Sequence, residues 1–261
     1  MDLCLCLYVL DSCIALAQKN QGPGLPASAP VSYSDGMSFD LPHSTGLPPE
    51  GWAPPPPRTV RLGRVSYRDA LRLQEEARDA VLAGGEDRCY LLEHDPVVTL
   101  GKRGGLVDEA ALVRLSTAVV KTDRGGFATW HGPGQLVVYP IIDTLRARVG
   151  VRRLVRALGT IMQGIAADLG VHDLIYDDER PGVYRDGKKV GSLGLHLSRG
   201  VTMHGFALNI CNELDGFRAI VSCGFADLEV STLSRELRRG LTMEAAYEAA
   251  ELRLGHLFET G

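Results

Sequence analysis

Two spacings of hydrophobic positions alternate along the chain from residue 58 onward. Runs of a few apolar residues, many of them β-branched, read as strands, and segments with apolar residues three and four apart read as helices. The first helix is expected over 67–83, capped by Ser66 with Asp69 three residues on, and stopped by Gly84-Gly85. Residues 89–93 and 97–100 read as strands separated by His94-Asp95-Pro96, and 118–122 as a strand entering a glycine-rich loop. Apolar residues at 154, 155, 158, 161, 162, 165 and 169 mark one face of a helix over 151–169, closed by Gly170. Asp186-Gly187 joins strands 182–185 and 189–197 as a hairpin, which sends Lys188 and Lys189 to opposite faces. Strands at 202–210 and 220–221 and an amphipathic helix over 242–258 complete the pattern, with no internal repeat. Strands interleaved with few helices predict an α/β or α+β domain over 58–261.

The first 57 residues behave differently. Residues 20–57 are rich in Pro, Gly and Ser and end in Pro54-Pro55-Pro56-Pro57, a composition that buries too little apolar surface to order itself. Residues 1–18 are apolar, yet the first cation is Lys19, and Asp2 and Asp11 interrupt the run. A signal peptide needs a charged start, and a membrane span needs about 20 apolar residues. Residues 1–57 are therefore expected to be dispensable for the fold, a tail or a mis-assigned start, with export as the lesser alternative and no membrane association.

Composition narrows the function. A chain of 261 residues with 45% hydrophobic and 23% charged residues is ordinary for a soluble protein, and the net charge of −4 gives no support for nucleic-acid binding. The six cysteines, at 4, 6, 13, 89, 211 and 223, contain no CxxC pair. They suggest free thiols in a reducing cytoplasm rather than disulfides or a thiolate metal site.

The densest chemistry lies between Arg124 and Ile141, where four glycines accompany a cation, a hydroxyl and an imidazole. Gly132-Pro133-Gly134 alone reads as a turn before an edge strand; with Arg124, Thr129 and His131 beside it the stretch reads as a binding loop. Cys223 stands between Ser222 and Gly224, where a short strand breaks into a turn. A thiol near its ordinary pKa of ~8.5 is mostly protonated at neutral pH, so as a nucleophile it needs a cation or base, for which Lys189 is a candidate. In isolation Cys223 reads as an inert buried residue and Lys189 as a solvated strand lysine.

The order of motifs changes that reading. The chain resembles the lipoate-protein ligase B-like octanoyltransferases, in the biotin and lipoate ligase fold group. The resemblance runs through Glu93 to Gly101, Thr122 to Ile141, Gly187 to Gly194, His204 to Asn209 and Cys223-Gly224. It implies a single domain with a mixed sheet and flanking helices. It also implies that Cys223 is the acyl-thioester nucleophile and that Lys189 lowers its pKa and shuttles protons. Arg124, Gly125, Gly126, Phe127, Ala128, Thr129, Trp130 and His131 would line the acyl site together with Ser192, Leu193, Gly194, Gly205, Phe206 and Ala207. The glycines would leave room for an eight-carbon chain, whose burial is worth about 0.8 kcal/mol per CH₂. The implied reaction carries octanoyl from acyl carrier protein to Cys223, then to a lysine of a lipoyl domain, in 2-oxoacid dehydrogenases or the glycine cleavage H protein. Backbone N–H groups near Gly224 or Ser192 are the candidate oxyanion donors.

A thioester is already activated, so the resemblance implies no ATP, cofactor or metal, and no GxxxxGK[ST] phosphate loop is present. Ser222 stands where a proline commonly precedes the cysteine, Trp130 where a tyrosine is usual, and Gly191 where an alanine is. The rival readings are an ATP-dependent lipoate or biotin ligase, a non-catalytic acyl-binding module, and a metal site built from His94, His131, His196, His204 and Cys223. Because carrier proteins and lipoyl domains are acidic, Arg124, Arg152, Arg153, Lys188 and Arg199 are expected to include members of a docking patch.

Overall fold

The computed structural model describes residues 54–221 and 228–258. In chain order these form β1 (Arg58–Val65), α1 (Tyr67–Leu82), β2 (Arg88–His94), β3 (Val97–Leu100), β4 (Leu106–Val107), α2 (Glu109–Arg114), β5 (Ala118–Lys121), β6 (Thr129–His131), β7 (Gln135–Ile141) and α3 (Val151–Asp168). There follow β8 (Ile175–Asp177), β9 (Gly182–Arg185), β10 (Lys188–Ser198), β11 (Val201–Asn209), α4 (Asp215–Arg218), β12 (Ile220–Val221), α5 (Leu233–Leu237) and α6 (Met243–Leu254).

The main sheet has seven strands in the order β1-β2-β7-β11-β10-β9-β8. Only β1 and β2 run parallel; the other pairs are antiparallel, so the sheet is mixed as expected. β7 is buried along its whole length because both faces of the sheet are covered, and its residues divide between them with period two. Leu136 and Val138 join Leu91, Phe206 and Leu208 under α3 and α6. Val137, Tyr139 and Ile141 join Tyr90, Leu92 and Ala207 under α1. A second sheet, β5-β3-β6, packs Val98 and Trp130 against Leu112 and Ala219, and β12 pairs with β4 beside it.

Local signals explain most of the boundaries. Ser66 Oγ accepts from the Asp69 N–H at 3.2 Å, and its hydroxyl donates to the Asp69 carboxylate at 2.6 Å. The carboxylate thus returns to the cap's side chain rather than to its backbone N–H. Asp186 and Gly187 take φ of 47° and 79°, the left-handed pair that a two-residue hairpin turn demands. The 118–122 strand is β5, an exposed edge of the second sheet. The final helix is shorter than the expected 242–258. It starts at the Thr242 cap but ends at Leu254, where Gly255 closes it, and residues 255–258 form turns. Its apolar residues do not keep to one side: Leu252 is 59% exposed while Ala246, Ala250 and Leu254 are buried.

Candidate functional site

A cleft of about 650 Å³ opens beside β6 and the middle of β10 and β11. The stretch 124–128 and its continuation Thr129 and His131 form one wall; Ser192, Leu193 and Gly194 of β10 and Gly205, Phe206 and Ala207 of β11 form another. Trp130 is the exception among the residues expected there. Alternation along β6 sends Thr129 and His131 toward the cleft and Trp130 to the opposite face, where it is 5% exposed and meets Phe217 edge-on at 5.5 Å. It is a packing residue of the second sheet.

Lys189 reaches the cleft through a local irregularity. The pairing of β10 with β9 slips between Lys189 and Gly191, a bulge that re-aims the side chain. A Cβ on Gly182 would stand 2.9 Å from Lys189 Cε, so the absence of a side chain there gives the lysine stem its path. The ammonium lies 5.4 Å from the centre of the Tyr184 ring and meets no carboxylate among the described residues. Burial, with Arg180 acting in the same direction, pulls its pKa down to about 8. Lys188, on the other face, is 3.5 Å from Glu229.

Cys223, the expected nucleophile, and its neighbours Ser222 and Gly224 lie outside the described residues. The flanking residues Ile220, Leu228, Glu229 and Val230 all line the cleft. Val230 forms a parallel bridge with Lys189: the Lys189 N–H donates to Glu229 O at 2.8 Å and the Ser231 N–H to Lys189 O at 3.0 Å. The backbone of Lys189 is thus tied to the segment that resumes five residues after Cys223.

Arg124 is buried, at 8% exposure, without a carboxylate partner among the described residues. Its Nε and Nη2 donate to Thr99 Oγ1 at 3.1 and 2.8 Å, Nη2 also to Thr99 O at 2.7 Å, and Nη1 to Gly125 O at 2.9 Å. Every one of these bonds is internal, which removes Arg124 from any docking patch and corrects that expectation. Of the other proposed patch residues, Arg152, Arg153 and Arg199 are exposed. Besides Lys189 and Arg124, the cations lining the cleft are Arg103, Arg180, Arg218 and Arg235, which no sequence pattern singled out.

Buried histidines form the polar floor, with His131 at the cleft and His94 behind it, ring centres 5.7 Å apart. His94 Nδ1 donates to Val65 O at 2.9 Å, since a carbonyl only accepts, so Nε2 takes the Tyr139 hydroxyl proton at 2.7 Å. His131 Nδ1 donates to Gln135 Oε1 at 2.7 Å, and Gln135 Nε2 donates to Asn209 Oδ1 at 2.8 Å. Asn209 then donates to Ser231 O at 3.0 Å, so the floor is linked to the segment bridged to Lys189. Burial holds His94 down to about 4 and His131 well below its ordinary value. Among the described residues no group of three His, Cys, Asp or Glu side chains is placed to hold a metal ion.

The loop glycines serve the protein's own packing. A Cβ on Gly101 would collide with Gly126 O, one on Gly132 with the Trp130 ring and one on Gly205 with Val138 O; on Gly194 it would lie 2.8 Å from Gly125 O. Gly125 meets ordinary contact, 3.4 Å from Leu195 O, and so does Gly126, 3.6 Å from Arg124 Nη1, though its φ of 88° favours glycine. Clearance for a ligand is therefore not what most of these glycines provide.

Residues 66–254 match the family model of the lipoyl protein ligase A/B catalytic domain. The chain belongs to that family. It is 42% identical over 208 residues to an octanoyltransferase of Mycobacterium sp. (strain KMS), covering 76% of this chain and 84% of the relative. The octanoyltransferase of Geobacter sulfurreducens is 44% identical over 193 residues, covering 74% and 80%, and that of Mycobacterium tuberculosis 46% over 187 residues, covering 70% and 79%. Among solved structures, a lipoate-protein ligase A bound with ATP superposes with a TM-score of 0.65 at 14% identity, over 78% of this chain and 86% of that one. A putative lipoate protein ligase from T. acidophilum with bound lipoic acid gives 0.62 at 14% identity, over 78% and 86%. At such identities these two show the fold alone, which is the mixed α/β domain described above.

Proposed function

We propose that this chain is an octanoyltransferase that works through a thioester on Cys223. Octanoyl passes from acyl carrier protein to the Cys223 sulfur, and from there to the ε-amine of a lysine on a lipoyl domain, of a 2-oxoacid dehydrogenase or of the glycine cleavage H protein. Family membership and relatives at 42–46% identity support octanoyl transfer. The observation that carries the thioester route is that Lys189 opens onto the same cleft as both flanks of the segment holding Cys223. Cys223 is three residues from Ile220, so chain length alone keeps its Cα within roughly 11 Å of a cleft-lining residue.

In the first half-reaction the thiol gives its proton to Lys189 and the thiolate attacks the donor thioester. The carrier-protein thiolate departs and takes that proton. In the second, the acceptor amine attacks the Cys223 thioester, forming the C–N bond and breaking C–S. Phe127, Leu193, Phe206 and Ala207 supply apolar surface for the octanoyl chain.

The catalytic unit is residues 58–261, with 1–57 outside it; β1 begins at Arg58 and the family match starts at 66. Cys89 and Cys211 are unpaired, in keeping with a cytoplasmic setting, and no described helix is long and apolar enough to cross a membrane.

Intact-mass measurement after incubation with octanoyl carrier protein tests the route. The native chain should gain one octanoyl group, Cys223→Ala none, and Lys189→Ala only slowly. Amide formation by Cys223→Ala at the native rate would refute it. Pyrophosphate–ATP exchange dependent on octanoate would favour the ATP-dependent ligase instead.

A further inference from the structure

Asp123, the residue before Arg124, is the meeting point of two imidazoles. His204 Nε2 lies 2.8 Å from its Oδ1 and His196 Nε2 lies 3.0 Å from its Oδ2. With the carboxylate ionised both nitrogens carry protons, so His204 Nδ1 is an unprotonated acceptor; it faces the Tyr67 hydroxyl at 3.4 Å. Tyr67 and His204 both line the cleft, whereas the Asp123 side chain is 54% exposed. Hydroxyl, imidazole and carboxylate thus run from the cleft wall to solvent.

The backbone at His204 is held where strand packing would not put it. Its φ is +58° in the middle of β11, a left-handed conformation that residues other than glycine adopt at a cost. Three partners from two elements retain it: Asp123 after β5, and from α1 both Tyr67 and Gln74, whose Oε1 accepts its backbone N–H at 2.7 Å. An extended residue would continue the sheet without any of them. The arrangement instead fixes one imidazole against the cleft.

The proposed reaction needs such a group, and the inference rests on that reading. An acceptor lysine arrives as an ammonium and ends as an amide N–H, so it sheds two protons. One replaces the proton that Lys189 gave to the departing carrier-protein thiolate. The other must leave the site. We propose that His204 accepts this second proton at Nδ1 by way of the Tyr67 hydroxyl, which takes one from the acceptor lysine as it gives up its own, while Nε2 passes its proton through Asp123 to solvent, with His196 as the alternative exit.

The groups facing His204 are Tyr67 from α1, Tyr139 from β7 with ring centres 6.3 Å apart, Asp123 and Arg124 from the loop after β5, and His196 through the shared carboxylate. Burial lowers the His204 pKa and the Asp123 carboxylate works against that, leaving the imidazole neutral at neutral pH.

His204→Asn and Asp123→Asn test the relay, because asparagine tolerates positive φ and the Asp123 site is half-exposed. Acylation by octanoyl carrier protein and amide formation on a lipoyl domain are measured separately from pH 6 to 9. At pH 7 amide formation should fall about 100-fold more than acylation, the scale of general-base catalysis. That deficit should close by about tenfold per pH unit as the solvent deprotonates the amine directly. A deficit independent of pH, or an equal loss in both steps, overturns the relay. If the native chain forms amide without a Cys223 adduct, the thioester route fails, and the relay stands or falls on the pH profile of amide formation alone.

Discussion

Acid should unfold this protein through its buried histidines before its surface carboxylates matter. His94 is fully buried, and desolvation lowers its pKa from 6.5 to about 4. Because the folded pKa lies below the unfolded one, the unfolded chain binds the proton first. The contribution to stability is complete above about pH 6.5 and is lost as the pH falls toward 4. With these two pKa values the loss between pH 7 and pH 5 is about 2 kcal/mol, with a slope near 1 kcal/mol per pH unit. His131 and His204 are shifted in the same direction by burial and add to it. Against a total stability of roughly 5–15 kcal/mol for a domain, a loss of this size is measurable. Urea unfolding at pH 7, 6 and 5 is the assay, with His94→Gln as the comparison. Glutamine can donate to Val65 O and accept from Tyr139 as the imidazole does, but does not titrate. The variant's stability should decline more gently than the native chain's, by about 1 kcal/mol per pH unit between pH 6 and 5. Parallel curves would refute the reasoning, since His94 would then titrate alike in both states.

Three further predictions separate packing from binding. Trp130→Phe should lower stability by on the order of 1 kcal/mol and leave KM for the acyl donor unchanged; the lost ring area is partly offset by removing a buried Nε1–H that has no partner among the described residues, and a raised KM would return Trp130 to the cleft. Gly205→Ala should cost at least about 2 kcal/mol in thermal or urea unfolding, because the added methyl meets the Val138 carbonyl. Gly125→Ala should stay within about 1 kcal/mol of native, since its Cβ is only in ordinary contact, 3.4 Å from Leu195 O; its KM then reports whether this one glycine is kept open for the acyl group.

The elements were legible where the chain carries local instructions. Ser66, Asp186-Gly187, Gly170 and the spacing of Leu154, Leu158, Ile161 and Ile165 each act on their own neighbourhood, and each element formed where expected. Sheet assignment was not legible. Nothing in 97–100 or 118–121 distinguishes a strand of the main sheet from one of the second sheet, because that choice depends on pairing between residues far apart. The same limit explains Trp130. Its place in a motif suggested a lining residue, and only the direction of β6 turns it away. The motifs led to the remaining cleft residues because the resemblance spans several segments that the fold gathers at one place. Tyr67 lay outside the motifs and Asp123 inside one without a role, since their roles arise only where α1 and the loop after β5 converge on β11.

A pKa of about 8 on Lys189 bears on how one lysine serves both halves of the proposed transfer. An exposed lysine, near 10.4, would take the proton of a thiol near 8.5 readily and return it reluctantly, holding the pair as thiolate and ammonium. A nucleophile trapped in that form is strong, but its ammonium is a poor proton donor to the departing carrier-protein thiolate. Lowering the lysine to about 8 brings the two proton affinities within roughly half a unit, or about 0.7 kcal/mol, before their mutual attraction is counted. The proton then moves toward the nitrogen when the thiolate must attack and away from it when a second sulfur must leave. On this argument the burial of Lys189 over Tyr184, beside Arg180, is what makes the pair reversible, and an arginine at 189 would supply charge without that exchange.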